Sequence, residues 1–150
     1  MTEIVLVTDD KQRYLPLLLI GDEQEDMIMC YLDRSDLYIL LHNGNECAAC
    51  AVTDEGDGVL EIKNISVYPQ YQRKGFGRRM IDHVAEVYSG QFSRLAAGTG
   101  DSPLTVPFYE ACGFVRTDVI RDFFINNYDH PIIECGVRLR DMVYFEKAID

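Results

Sequence analysis

A mixed α/β (α+β) fold, with a mostly antiparallel central sheet of about six to seven strands and helices on both faces, is predicted by three features of the sequence. Short β-branched and apolar runs are separated by glycine-containing turns. A long amphipathic stretch, with Phe76, Met80, Ile81, Val84, Val87 and Tyr88 on one stripe, repeats with helical period. Strand-like and helix-like segments are interleaved along the chain.

The elements follow in order. Ile4 to Thr8 reads as a first strand, and Tyr14 to Tyr31 as one or two helices interrupted near Gly21. Asp36 to Leu41 and Glu46 to Thr53 form a hairpin around His42-Asn43-Gly44-Asn45, because Asn-Gly supplies the positive φ angles of a tight turn. A second turn, Asp54 to Gly58, leads into a strand from Val59 to Tyr68 that Pro69 stops. The amphipathic helix runs from Gly75 to Ser89 and is followed by a strand over Phe92 to Ala97. A short helix near Thr105 to Cys112 is closed by Gly113; Pro107 delays its start to Thr105 or Val106. Phe114 to Ile120 and Val137 to Lys147 read as two more strands.

The 150 residues suit one domain, which at this size buries about two thirds of its unfolded surface. The longest apolar run near the start, Leu15 to Ile20, is too short to span a bilayer, and the first residues lack the pattern of a signal peptide. A soluble, cytoplasmic protein is therefore expected. Five scattered cysteines suit reduced thiols better than a disulfide scaffold. A formal net charge of -11 argues against nucleic acid as a partner.

Against that acidic background, Gln72-Arg73-Lys74-Gly75-Phe76-Gly77-Arg78-Arg79 places two glycines and four cations where a strand gives way to a helix. The first turn of a helix has unpaired N–H groups and a partial positive charge, so an anion there is held largely by main chain. Gly75 and Gly77 have no Cβ to obstruct its approach. The chain contains neither the third glycine of a dinucleotide fingerprint, since Met80 stands in that place, nor a P-loop.

Gln72-x-x-Gly75-x-Gly77 after Val67-Tyr68-Pro69, followed some way on by Phe108-Tyr109-Glu110-Ala111-Cys112-Gly113-Phe114, resembles the GNAT superfamily of acyl-CoA-dependent N-acetyltransferases over roughly Leu60 to Phe114. The resemblance implies a single such domain over residues 1–150, acetyl-CoA as acyl donor, no metal, and transfer of the acetyl group directly to a primary amine of a small molecule, peptide or protein. By the resemblance, the amides of Arg73, Lys74, Gly75, Phe76, Gly77 and Arg78 hold the CoA pyrophosphate, with charge-assisted help from Arg73, Lys74, Arg78 or Arg79. Ile65, Ser66 and Val67 offer backbone groups to the pantetheine arm, and the Val67 N–H points at the thioester carbonyl. A donor aimed there stabilises the developing oxyanion by about 3 kcal/mol.

Tyr109 is then the general acid that protonates the departing thiolate. Without the family context, a tyrosine on a short amphipathic helix reads as a core or rim residue. Glu61 is the candidate base for the amine, directly or through water; it equally reads as a surface carboxylate on an alternating strand. Asp101 and Ser102 stand where similar proteins often carry an Asn that contacts the cofactor, or they cap the turn around Pro103. Cys47 and Cys50, three apart on a strand, would face opposite sides and read as buried thiols rather than metal ligands. Asp22-Glu23-Gln24-Glu25-Asp26 would draw a cationic acceptor if it walls the acceptor site, and otherwise is a solvated face. The resemblance allows a homodimer, and the segment from Phe123 to Arg140, with Tyr128, Pro131 and Glu134, would line either the acceptor pocket or a dimer contact. The competing reading is a non-catalytic acyl-CoA-binding sensor that retains the anion cradle without turnover.

Overall fold

The structure is a computed structural model describing residues 1–150. Seven strands form the main sheet: β1 (Thr2–Leu6), β2 (Asp36–His42), β3 (Asn45–Gly56), β4 (Val59–Val67), β5 (Arg94–Gly100), β6 (Val115–Ile120) and β9 (Met142–Ala148). Their order is β1-β2-β3-β4-β5-β9-β6. Every neighbouring pair is antiparallel except β4 with β5. The helices are α1 (Leu15–Gly21), α2 (Glu25–Met29), α3 (Phe76–Tyr88), α4 (Val106–Ala111) and α5 (Phe123–Asn127), and β7 (Ile133–Glu134) pairs with β8 (Val137–Arg138) as a separate hairpin.

Both faces of the sheet are covered, as the alternation of apolar residues predicts. On one face α3 lays Met80, Ile81 and Val84 against Leu40, Ala48, Cys50 and Val52. Each such aliphatic burial removes enough surface from water to contribute about 1.5–3 kcal/mol. On the other face Leu17 and Leu18 of α1 and Ile28 of α2 pack on Leu37, Ile39, Ala49 and Ala51. A buried polar network fastens α1 to β4. Asn64 Nδ2 donates to the Leu18 carbonyl at 3.0 Å and to the Tyr31 hydroxyl at 3.1 Å, and Ser66 Oγ donates to Asn64 Oδ1 at 2.5 Å. The fit is so close that a Cβ on Gly21 would lie 2.4 Å from Ser66 Oγ.

Two expectations need correction. A bulge opposite Leu40 and Leu41 adds Cys47 to β3 as an extra residue, so Cys47 and Cys50 enter the same apolar cluster instead of facing opposite ways. Val137 to Lys147 is not one strand. Val137 and Arg138 belong to the β7–β8 hairpin, and the sheet resumes only at Met142. Between β6 and β9 the chain makes an excursion closed at its base by the Asp122 N–H on Asp141 Oδ1 at 2.8 Å and by Arg140 on Asp122 at 2.9 Å. Phe124, Ile132 and Leu139 form a small core inside it. No helix is long and apolar enough to cross a membrane.

Candidate active site

The central feature arises where two strands part. β4 and β5 pair in parallel only from Val59 to Ile62 and from Arg94 to Ala97. Beyond that, Gly98 to Gly100 stay with β9, while β4 continues beside β3 to Val67. The Tyr68 N–H bonds to the Cys47 carbonyl at 3.0 Å, which sets the phase of the antiparallel β3–β4 ladder. By that phase Ser66 exchanges hydrogen bonds with Ala49, whereas Ile65 and Val67 direct their N–H and C=O groups into the gap. Ser66 therefore borders the site, but its backbone is committed to β3 and its hydroxyl to Asn64. The Gln72 side chain crosses the mouth of the gap and donates to the Val67 carbonyl at 2.9 Å.

The gap opens into a cavity of about 550 Å³ that reaches the start of α3. Gly75 is the N-cap of α3, at φ 82°, and no side chain caps the amides of the first turn. The first helical bond runs from the Arg79 N–H to the Gly75 carbonyl, leaving the N–H groups of Phe76, Gly77 and Arg78 without partners in the helix. Arg73 reaches the left-handed region too, at φ 62°. Arg73, Lys74, Arg78 and Arg79 form no ion pair within the protein, although seven pairs exist elsewhere. The two glycines have different reasons. Gly75 supplies a backbone conformation costly to other residues. A Cβ on Gly77 would stand 3.1 Å from the Phe108 ring, so Gly77 lets α4 approach α3.

Thr105 precedes α4 as its N-cap, and Pro107 occupies the first turn, where its missing N–H costs nothing. The helix carries Tyr109 inward. Its ring stacks on Phe145 at 5.6 Å and meets Phe114 and Phe108 edge-on at 5.4 and 5.3 Å. The hydroxyl has no hydrogen-bond partner in the protein. Because no side-chain oxygen or nitrogen is buried without one, that hydroxyl must open onto the cavity that Tyr109 lines. Burial pushes the phenol's pKa well above its ordinary 10.0, so it stays protonated at neutral pH.

Three carboxylates border the cavity. Asp22 and Glu23 follow α1, and Glu134 comes from β7. The buried Ser102 hydroxyl hydrogen-bonds Glu134 Oε1. Burial raises the pKa of Asp22 above its usual 3.8, against the opposing hydrogen bond from Tyr128. Arg73, just before α3, and Arg78, in its first turn, line the cavity as well, so it carries side chains of both charges. Apolar walls come from Ile20, Phe124, Ile132 and Leu139.

Several expected site residues lie elsewhere. Glu61 is outside the cavity lining and is paired with Lys63 at 2.8 Å. Asp101 and Ser102 do not line it either. Ser102 Oγ instead accepts from the Leu104 and Thr105 N–H groups at 3.2 and 3.3 Å, the capping role weighed for it, and Leu104 and Thr105 themselves face the cavity. Lys74 lies outside as well, whereas Ile65, Ser66, Val67, Gln72, Arg73, Gly75, Phe76, Gly77, Arg78 and Tyr109 all border it. Of the acidic run, Asp22 and Glu23 face the cavity, while Glu25 and Asp26 form the first turn of α2. Tyr128 and Glu134 are legible in the sequence only as members of the Phe123 to Arg140 segment, with no role of their own, and both line the cavity. The only local signal was the unusual length of the segment carrying them. No group of three or more His, Cys, Asp and Glu side chains is disposed to hold a metal ion.

Comparison with known proteins bears on this geometry. The acetyltransferase (GNAT) domain family matches residues 33–116. A Bacillus subtilis protein described as uncharacterized N-acetyltransferase YvbK is 31% identical over 129 residues, 85% of this chain and 83% of that one. The structure of an IAA acetyltransferase from Bacillus cereus superposes with a TM-score of 0.91 at 29% identity, over 99% of each chain. A GNAT family acetyltransferase from Elizabethkingia anophelis, solved with acetyl-CoA bound, gives a TM-score of 0.92 at 28% identity, over 98% of this chain and 97% of its own. With a family match over more than half its length, and a sheet that opens between β4 and β5 beside an uncapped helix start, the chain belongs to the GNAT acetyltransferase family.

Proposed function

We propose that residues 1–150 act as one catalytic domain that takes acetyl-CoA as donor and acetylates a primary amine directly, without an acyl-enzyme. The observation that carries this reading is the junction of the open β4 edge with the uncapped N-terminus of α3. The amides of Phe76, Gly77 and Arg78, with Arg73 and Arg78 nearby, fit a pyrophosphate. The exposed backbone of Ile65 and Val67 fits an extended amide-bearing arm, which would pair with it as an added strand. The Elizabethkingia relative's bound acetyl-CoA supports the same choice of ligand.

Acetyl-CoA supplies an activated thioester carbonyl. The chain's own groups handle charge and protons around it. The Val67 N–H donates to the carbonyl oxygen as negative charge develops there. As the new C–N bond forms and the C–S bond breaks, Tyr109 gives its proton to the departing thiolate. The attacking nitrogen must be neutral, so an ammonium acceptor loses a proton first. We assign that proton to Glu134, which lines the cavity. Glu61 reaches the cavity only through Lys63, its ion-pair partner.

The unpartnered Tyr109 hydroxyl favours this reading over a binding-only sensor, because a phenol held open to the cavity has no structural task there. Incubation with acetyl-CoA and a pooled panel of amines, followed by mass spectrometry, tests it. An acetylated amine with stoichiometric free CoA is the expected result. Tight acetyl-CoA binding with no acetylated product would favour the sensor.

A further inference from the structure

The excursion between β6 and β9 reaches across the molecule to the turn after α1, and three links join them. The Tyr128 hydroxyl donates to Asp22 Oδ1 at 2.7 Å, the Asp129 N–H donates to Gln24 Oε1 at 3.1 Å, and His130 Nε2 stands 3.5 Å from Glu23 Oε2. The excursion is braced from within. Phe124 stacks on Tyr128 at 5.5 Å, the Leu139 N–H bonds to the Ile132 carbonyl at 2.8 Å, and its base is tied at Asp122 and Asp141. The inner residues of this strap, Asp22, Glu23 and Tyr128, line the cavity, while Gln24, Asp129 and His130 do not. The part of the cavity lined by Asp22 and Glu23 is thus bounded by the links that join the turn after α1 to the β6–β9 excursion.

We infer that the acceptor is a small free cationic amine, and not a lysine side chain or terminal amine of a polypeptide. This rests on the acetyl-transfer reading and narrows its substrate class. A polypeptide acceptor has chain running both ways, or at least one way, from the reacting residue, and the strap bounds the cavity on the side where Asp22 and Glu23 lie. A free amine fits inside the wall and meets its carboxylates. Asp22 and Glu23, though linked to Tyr128 and His130, both line the cavity and would meet a cationic group away from the reacting nitrogen, with Ile20, Phe124 and Leu139 beside its carbon skeleton.

The test compares the full chain's kcat/KM, at saturating acetyl-CoA, for free amines (putrescine, spermidine, tyramine, kanamycin) with that for lysine-containing and free-N-terminus peptides. The best free amine should exceed every peptide by at least about ten-fold. A peptide used as well as the best free amine would overturn the inference and leave acetyl transfer intact, whereas turnover with neither class overturns both. Hydrogen exchange gives a second reading that needs no acceptor. Tyr128→Phe should speed amide exchange in both 21–24 and 128–131, because it removes one of the three links that hold the two segments together. Faster exchange in only one of them would show that the strap is not a single wall.

Discussion

Replacing Tyr109 by Phe separates its chemistry from its packing. The ring keeps its stack on Phe145 and its edge contacts with Phe108 and Phe114, since only the oxygen is removed. That oxygen makes no hydrogen bond within the protein, so no partner is left unsatisfied and stability should change by no more than about 0.5 kcal/mol. Loss of a general acid typically lowers turnover by about 10²–10⁴-fold, equivalent to roughly 2.7–5.4 kcal/mol at the transition state. The expected pattern is therefore a large fall in kcat, an unchanged calorimetric Kd for acetyl-CoA and an unchanged Tm. Free CoA released at saturating acetyl-CoA and amine gives kcat directly. A kcat within about two-fold of the parent would remove Tyr109 from the proton path. A fall in kcat matched by a fall in acetyl-CoA affinity would instead assign it to donor binding.

Gly21→Ala should destabilise by about 1–3 kcal/mol in chemical denaturation, because its Cβ would meet Ser66 Oγ and, at 2.8 Å, the rigid Ile65 carbonyl; an unchanged midpoint would mean that α1 shifts freely on β4. Gly75→Ala should cost about 1–2 kcal/mol, since the N-cap of α3 sits at φ 82° with open space around it, so the penalty is purely conformational; no loss would show that the loop can readopt an ordinary φ. His130 has its pKa raised above 6.5, first by Asp129 and then by Glu23. Its charged link to Glu23 is fully present below that value and fades as pH rises through the raised one. Exchange protection of residues 128–131 should therefore weaken across that window in the parent, and a His130→Gln variant should lack this pH dependence.

Much of this site was legible because its parts are local. The strand, the stop at Pro69, the glycine loop and the amphipathic stripe of α3 lie within one continuous stretch, and each has its own signature. The hairpin turns show where legibility ends. Asn43-Gly44 and Asp57-Gly58 both adopt consecutive positive φ angles and were readable from residue type. Cys135-Gly136 does the same, at 51° and 77°, but cysteine is not a turn residue, so β7 does not read as a strand and β8 is absorbed into a longer one. Its two-residue strands are also too short to display a period. Glu134 is therefore placed by the sequence only in a segment that would line the acceptor pocket or a dimer contact, since its position in the cavity depends on a hydrogen bond to Ser102 across thirty-two positions of sequence. Glu61 looked suitable because it precedes the open stretch of β4, but its ion pair with Lys63 and its absence from the cavity are tertiary facts. Cys47 was misassigned because a bulge leaves no local trace in the strand that carries it.

The most direct test of the account is a crystal structure of the protein with acetyl-CoA. The pyrophosphate should lie within hydrogen-bond distance of the Phe76, Gly77 and Arg78 amides, and the pantetheine arm along Ile65 and Val67, bringing the thioester sulfur within reach of the Tyr109 hydroxyl. Acetyl-CoA bound away from the β4–β5 gap, or seated there with its sulfur remote from Tyr109, would contradict it.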